Sequence, residues 1–400
     1  MRKIIALITV LILVFSICAC TSETESKPEK EEETAEKAAH TIAVLVYDYY
    51  DDEVASFRRY LQDYVGKEFD VNFLYSESIS SPEAALDFIS RAADFGAEGV
   101  MSFNTYDLKK EVELCEDKGI YFMLGSGTVK ESAFKSVEDN EYFLGVIGPG
   151  DENEYMAGFN LAENVILKDM KGGSFCILSG GGALGNEMHR LRTKGIIEKL
   201  ENAYGIKFDM TSDEIAETDE VIRLDAGDIS ICVAPGYFTN ESDLKAAEEV
   251  LKGGSYDYVL SVLPATKLMD DIKGTKLGVI DCYSENNLRY FTSGDLDYVT
   301  GKYSSLIGPS FAAMYNAVTG HADVFRDNGK AFRIRQGFWS SDNREDYEEK
   351  YSIASSLEKC AYNYEDIQSV LTDYNENASL EDLKELAEAY RYEDAVKRRG

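Results

Sequence analysis

Histidine and cationic charge are the scarcest features of this 400-residue chain. Only His40, His189 and His321 are present, and their spacing matches no metal-ligand pattern. Lysine and arginine total 41 against 73 acidic residues, a formal net charge of -32. That balance excludes a binder of the nucleic-acid backbone, which needs a basic footprint. It also disfavours adhesion to anionic lipid through the protein surface, and any attraction it exerts on cations is screened by salt. The chain has no GxSxG and no GxGxxG, and Gly180-Gly181-Gly182 is not followed by the Gly-Lys-Ser/Thr of a phosphate-binding loop. The glycine run is expected to be a strand-to-helix loop whose amides face ligand oxygens. No CxxC occurs. Cys115, Cys176, Cys232, Cys282 and Cys360 are widely spaced and odd in number, which is neither a disulfide framework nor a zinc pattern. Cys176 and Cys232 lie in apolar runs, where a thiol behaves as a small hydrophobe. One disulfide among the five is left open. No metal or other cofactor is expected.

Long apolar runs are also missing after the first fifteen residues. Met1-Arg2-Lys3 precede an apolar stretch from Ile4 to Phe15, interrupted only by Thr9. This has the form of a secretory signal and is short for a spanning helix. Ile17-Cys18-Ala19-Cys20-Thr21 resembles the bacterial lipobox. The resemblance implies cleavage after residue 19 and acylation of Cys20, with enough acyl chain to hold the protein on a membrane. Residues 20–40 are polar, acidic and free of large apolar side chains, as expected of a flexible stalk. The expected location is the bacterial cell membrane, lipid-anchored and facing the extracellular side or the periplasm.

The remaining 360 or so residues suffice for two domains. Thr41–Tyr47 is a short run rich in β-branched residues and reads as a buried parallel strand. Asp52–Tyr64 has helical periodicity, with Phe57, Tyr60, Leu61 and Tyr64 on one side. The cycle continues with strands at 69–75, 98–103, 120–125 and 142–147, and helices at 82–95, 107–118 and 153–167. Pro82 opens one of them. A second series has strands at 174–179, 206–210, 230–234, 256–262 and 277–282, and helices at 187–202 and 241–251. Such alternation is the signature of doubly wound α/β lobes. Beyond Ser340 the chain is polar, rich in tyrosine and helical in pattern, with Ser379 placed to cap a helix starting at Leu380.

Four segments carry a more specific likeness. The first strand ends in aromatic Tyr47. Gly145–Gly158 runs from a strand through a loop into an acidic-Tyr-x-x-Gly helix start. Ile177-Leu178-Ser179-Gly180 is followed by Asn186 and by Arg192-Thr193-Lys194-Gly195. Leu277-Gly278-Val279-Ile280-Asp281 is a hydrophobic-Gly-hydrophobic-Asp strand end. In these, and in Val299-Thr300-Gly301-Lys302 with Gly308 six residues on, the chain resembles the type 1 periplasmic binding proteins of ABC importers, especially the sugar-binding branch. The resemblance covers roughly residues 41–319. It implies two Rossmann-like lobes joined by a hinge of crossing strands, with a helical C-terminal extension. The first lobe would comprise 41–148 and 295–339, the second 149–294, and the extension 340–400. A small polar ligand would sit between the lobes, where the carboxyl ends of parallel strands collect ligands.

On that basis the expected ligand-binding residues are Tyr47, Asp48, Tyr49, Asn104, Asn153, Tyr155, Arg192, Asp281, Lys302 and Tyr303. Arg192 offers a planar fork for two ligand oxygens, and an ionised Asp281 accepts two hydroxyl protons. The tyrosines offer aromatic faces to the C–H face of a sugar. Lys302 departs from the carboxamide the family commonly places there, and adds a cation to the cleft. Trp339, the only tryptophan, belongs to the hinge or cements the extension. The function implied is capture of a sugar-like solute by a monomer, with delivery to an ABC permease and no nucleic-acid partner. Two alternatives stand beside it: a ligand-sensing surface protein feeding a membrane receptor, and an extracellular hydrolase. The hydrolase lacks a recognisable nucleophile, metal cluster or paired-carboxylate signature.

Overall fold

In the computed structural model of the protein, residues 40–166, 172–182, 186–236, 241–272 and 274–399 are described. The signal-like segment, Cys20 and the stalk lie outside them. Among the described residues no helix is long and apolar enough to cross a membrane.

The strands, in chain order, are β1 (His40–Leu45), β2 (Val71–Tyr75), β3 (Gly99–Ser102), β4 (Tyr121–Leu124), β5 (Phe143–Gly148), β6 (Gly173–Ser179), β7 (Ile222–Ala226), β8 (Ile229–Pro235), β9 (Tyr258–Ser261), β10 (Lys276–Cys282), β11 (Tyr298–Lys302), β12 (Phe332–Arg335) and β13 (Trp339–Ser341). They form two sheets. The first has the order β12-β5-β4-β3-β1-β2 and is parallel throughout. The second has the order β13-β11-β10-β9-β6-β8-β7, parallel except for its two edge strands. Central strands such as β3 and β9 are buried along their whole length, as parallel strands covered by helices on both faces must be. One buried apolar cluster runs from the first sheet through the hinge into the second lobe and the extension. A separate one fills the other face of the first sheet.

The chain passes between the sheets three times: from β5 into the helix Asp151–Ile166, from β11 into the helix Gly308–Asn316, and from β12 to β13. The middle passage corrects an expectation. Residues 295–339 are expected in the first lobe, but β11 pairs with β10 in the second sheet, and the chain returns to the first lobe only from the helix Gly308–Asn316 onward, through β12. The third passage also moves a boundary, because Ser340 and Ser341 pair with Thr300 and Val299 rather than opening the extension.

Two further differences are local. Ile206–Met210, expected as a strand, connects two helices. The first ends on Gly205 in the left-handed region (φ 64°), and Thr211 caps the next in a capping box. Phe208 is buried there, and the amides of Ile206 and Phe208 are spent on the Glu201 carbonyl and side chain rather than on a sheet partner. The strand that was missed is β7. It forms a hairpin with β8 through Gly227-Asp228, with Gly227 at φ 60°, and alternates half-buried Ile222, Leu224 and Ala226 with exposed Arg223 and Asp225.

The extension packs on both lobes. Its helices are Arg344–Ala354, Tyr364–Gln368, Leu380–Glu388 and Tyr392–Arg399, the third capped by Ser379 as expected. Tyr347 exchanges hydrogen bonds with the Ser284 amide (2.9 Å) and carbonyl (3.0 Å) of the second lobe. On the first lobe, Tyr60 donates to the Tyr362 carbonyl (2.8 Å), Tyr64 stacks on Tyr364 at 3.9 Å, and Asn316 bonds both Val370 and Thr372. Between them Trp339 stacks on Tyr303 at 3.9 Å, and both donate to the Tyr390 carbonyl. Trp339 therefore belongs to the hinge and to the extension's anchorage at once. The five described cysteines are buried and free.

Candidate functional site

The carboxyl edges of the two sheets face each other, and their loops supply the candidate site. On the first lobe β1 runs out into Tyr47 and a turn closed by Asp51, which caps the helix Asp52–Tyr60 by accepting from Glu53 N (2.8 Å) and Val54 N (3.3 Å). The Tyr47 hydroxyl donates to the same carboxylate at 2.9 Å. Burial, then the Glu53 charge, pushes Asp51 up to about 6. Ser126 and Thr128 follow β4 on the same lobe.

The second lobe contributes a pair fixed by helix packing. The helices Asp151–Ile166 and Glu187–Tyr204 cross at Gly158 and Gly195. A β-carbon on Gly158 would lie 1.8 Å from the Arg192 carbonyl oxygen, and one on Gly195 would lie 2.2 Å from that of Tyr155. Only glycine permits this approach, so Glu154-x-x-x-Gly158 and Arg192-x-x-Gly195 are two halves of one contact. Arg192 Nε donates to Glu154 Oε2 at 2.6 Å and Nη1 to the Val262 carbonyl at 3.1 Å, with side-chain exposures of 7% and 0% for the pair. The guanidinium also faces the Phe338 ring at 5.5 Å.

Polar bonds span the two lobes. Thr128 Oγ1 donates to Glu154 Oε1 at 2.9 Å. Lys302, at the end of β11, places Nζ 3.0 Å from both Glu53 Oε1 and the Ser126 carbonyl, with side-chain exposures of 7% for Lys302 and 13% for Glu53. Asn286 donates to Asp52 Oδ2 at 2.7 Å, and Lys130 approaches Glu187 at 3.5 Å. Asp281, at the end of β10, accepts from Asn287 Nδ2 at 2.8 Å. Burial, followed by the charges of Asp51, Asp52 and Glu53, pushes its carboxyl up to about 7.

Three buried side-chain atoms have no hydrogen-bond partner here: Ser126 Oγ after β4, Ser179 Oγ at the end of β6 and His189 Nδ1 in the first turn of the helix Glu187–Tyr204. His189 lies against Gly180, where a β-carbon would fall 2.4 Å from Nδ1. Burial, then the Arg192 charge, holds the imidazole neutral by lowering it to about 3. Unpartnered buried polar atoms are costly, and a cluster of them marks a place for polar ligand atoms or water. Among the described residues no group of three or more His, Cys, Asp or Glu forms a metal site.

The structure brings Tyr47, Arg192, Asp281 and Lys302 to the facing edges. Other expected residues are engaged elsewhere. Asp48 accepts from Tyr50 N and Ser78 Oγ within the first lobe. The Tyr49 ring is covered by the Arg58 guanidinium at 3.9 Å. Asn104 follows β3, and its carbonyl accepts from Ser102 Oγ. Asn153 turns its Oδ1 back to Gly150 N, and Tyr155 reaches Glu198 Oε2 at 2.7 Å. Tyr303 is wholly buried, stacked on Trp339 and bonded to the extension. The residues missed are Asp51, Asp52, Glu53, Ser126, Glu154, Ser179, His189 and Asn287. An available signal was the Asp51-Asp52-Glu53 run directly after the first strand end, and Glu154 stood inside the quoted helix start. A hollow of about 500 Å³ lies at the opposite, amino edge of β10, lined by Tyr256, Thr275, Lys276 and Asp297 among others. It is remote from this chemistry, and Lys276 and Asp297 pair with each other there at 2.9 Å.

Sheet orders, three passages and facing carboxyl edges together define the two-lobed α/β fold of the type 1 periplasmic binding proteins. Solved structures of that class superpose over most of the chain. A solute-binding protein of an ABC transporter from Bacillus halodurans, with bound myo-inositol, matches with a TM-score of 0.55 at 16% identity, covering 80% of this chain and 99% of its own. A periplasmic solute-binding protein of an ABC transporter from Actinobacillus succinogenes, with bound D-allose, gives 0.58 at 11% identity, covering 78% and 99%. The binding-protein component of an arabinose ABC transporter from Shewanella sp. ANA-3, bound to L-arabinofuranose, gives 0.55 at 14% identity, covering 78% and 94%. No family model and no curated protein matches the chain.

Proposed function

We propose that the protein is a solute-binding protein that captures a small hydroxylated compound between its lobes and delivers it to an ABC permease, performing no chemistry on it. The observation that carries this reading is the set of unpartnered buried atoms: Ser126 Oγ on the residue whose carbonyl holds Lys302, Ser179 Oγ at the end of β6, and His189 Nδ1 on the helix that carries Arg192. Hydroxyl groups both donate and accept, and so satisfy such a mixed set. The three neighbours of the same fold, by their descriptions, hold a cyclitol, a hexose and a pentose. The lipobox-like Cys20 supports a lipid anchor, with residues 20–40 as tether.

The test is the melting temperature of the unit Ala39–Gly400 against cyclitols, hexoses, pentoses and their derivatives. A ligand at about 100 times its Kd adds about 2.7 kcal/mol to stability. A saturable rise with one scaffold, weakened by Ser179→Ala and His189→Ala, supports the reading. No rise with any hydroxylated compound overturns it. Labelling of the full-length chain with a radioactive fatty acid, abolished by Cys20→Ala, tests the anchor.

A further inference from the structure

This inference rests on the cleft being the solute site and names the ligand's charge. The two cations expected to meet ligand are paired internally, Arg192 with Glu154 and Lys302 with Glu53. Asp51, Asp52 and Asp281 remain, and among the described residues none of them pairs with a cation. Asp51 and Asp52 stand at a helix N-terminus, which offsets part of their charge. Asp281, on the other lobe, has only the Asn287 carboxamide. The lobes close these carboxylates toward one another, through Asn286 to Asp52 and through Lys302 to Glu53. Beside them Ser126, 4% exposed, holds the Lys302 ammonium with its carbonyl while its Oγ is unpartnered. The cleft therefore has a surplus of negative charge and an unfilled hydrogen-bonding position beside it.

We propose that the solute is an amine-bearing polyol, an amino sugar or aminocyclitol, whose ammonium group lies between Asp281 and the Asp51–Asp52 turn while its hydroxyls reach Ser126, Ser179 and His189. An ammonium donates three hydrogen bonds, and charge-assisted bonds to carboxylates are about twice as strong as neutral ones. A carboxylate or phosphate on the solute finds Arg192 and Lys302 already paired and faces the three acids, so an acidic sugar is the disfavoured ligand.

The experiment is calorimetric titration, near neutral pH, of D-glucosamine, D-galactosamine and D-mannosamine, of their parent hexoses, and of the matching uronic acids. The same panel is run on Asp281→Asn and, in case that variant does not fold, on Asp52→Asn. The expected result is that an amine binds at least about tenfold tighter than its parent, that uronates do not bind, and that the preference collapses in the variants. Parent hexoses binding as tightly as the amines overturns the charge assignment and leaves the polyol site standing. So does a preference that survives both substitutions. No binding by any amine overturns the charge assignment, and the polyol site falls with it when cyclitols and pentoses fail to bind as well.

Discussion

The two lobes are joined in two places by unlike chemistry. At the cleft the bonds are between charged or polar side chains, Lys302 to Glu53, Asn286 to Asp52 and Thr128 to Glu154, with unpartnered atoms left beside them. At the hinge and extension the bonds are aromatic stacks whose hydroxyls and indole nitrogen end on backbone carbonyls, as in Tyr303, Trp339, Tyr347 and Tyr60. The difference separates a closure that solvent or ligand can exchange from a fastening that it cannot. Apolar burial carries no titrating group and is not screened by ions, whereas carboxylate pairs answer to both pH and ionic strength.

The largest effect should come from the fastening. Trp339→Ala removes a stacked, fully enclosed indole and is expected to lower stability by about 3–5 kcal/mol, read by urea denaturation. A loss below about 1 kcal/mol would erase the contrast. At the cleft, Lys302→Met strands Glu53 in a nearly enclosed position. The expected cost is about 2–3 kcal/mol, reduced from that of a fully dry pair because water reaches the cleft. Most of it should return in the double variant with Glu53→Gln, as a double-mutant cycle would measure.

Next comes pH. Folded Asp281 keeps its proton up to about 7 and Asp51 up to about 6, against 3.8 for an ordinary Asp. Between those limits the folded chain binds more protons than the unfolded one, so their contribution is full below about pH 4 and is lost as pH rises toward 7. His189, lowered to about 3 from 6.5, has the opposite slope. The prediction therefore concerns a difference: Asp281→Asn should gain on the parent by on the order of 2 kcal/mol between pH 5 and 7.5, followed by thermal denaturation at each pH. Equal slopes would remove Asp281 from the enclosed acidic group. The smallest effect is expected at the extension's outer stack, where Tyr364→Leu should cost about 1 kcal/mol by the same urea assay.

Strand and helix alternation made the doubly wound architecture legible, and the resemblance in Arg192-x-x-Gly195, the strand end at Asp281 and Val299–Lys302 pointed to Arg192, Asp281 and Lys302 as cleft residues. What stayed hidden depends on distant partners. The placement of β11 is decided by pairing with β10 on one side and β13 on the other, neither of which is encoded in its own five residues. Lys302 looked like a free cation because Glu53, its partner, lies 249 positions away on the other lobe. Tyr303 has the polarity of a ligand contact, yet the extension claims it. The signal for β7, by contrast, was local, a Gly-Asp turn between alternating residues.

The crossing at Gly158 and Gly195 has a mechanical corollary. With no side chain between them, the two helices have no slack, so Glu154 and Arg192 ride as one rigid body with the second lobe. Were the lobes to part, the bond of this pair that would break is the one from Thr128. The guanidinium would keep its counter-ion through such a swing, and a visiting anion would meet a sheathed charge in either position.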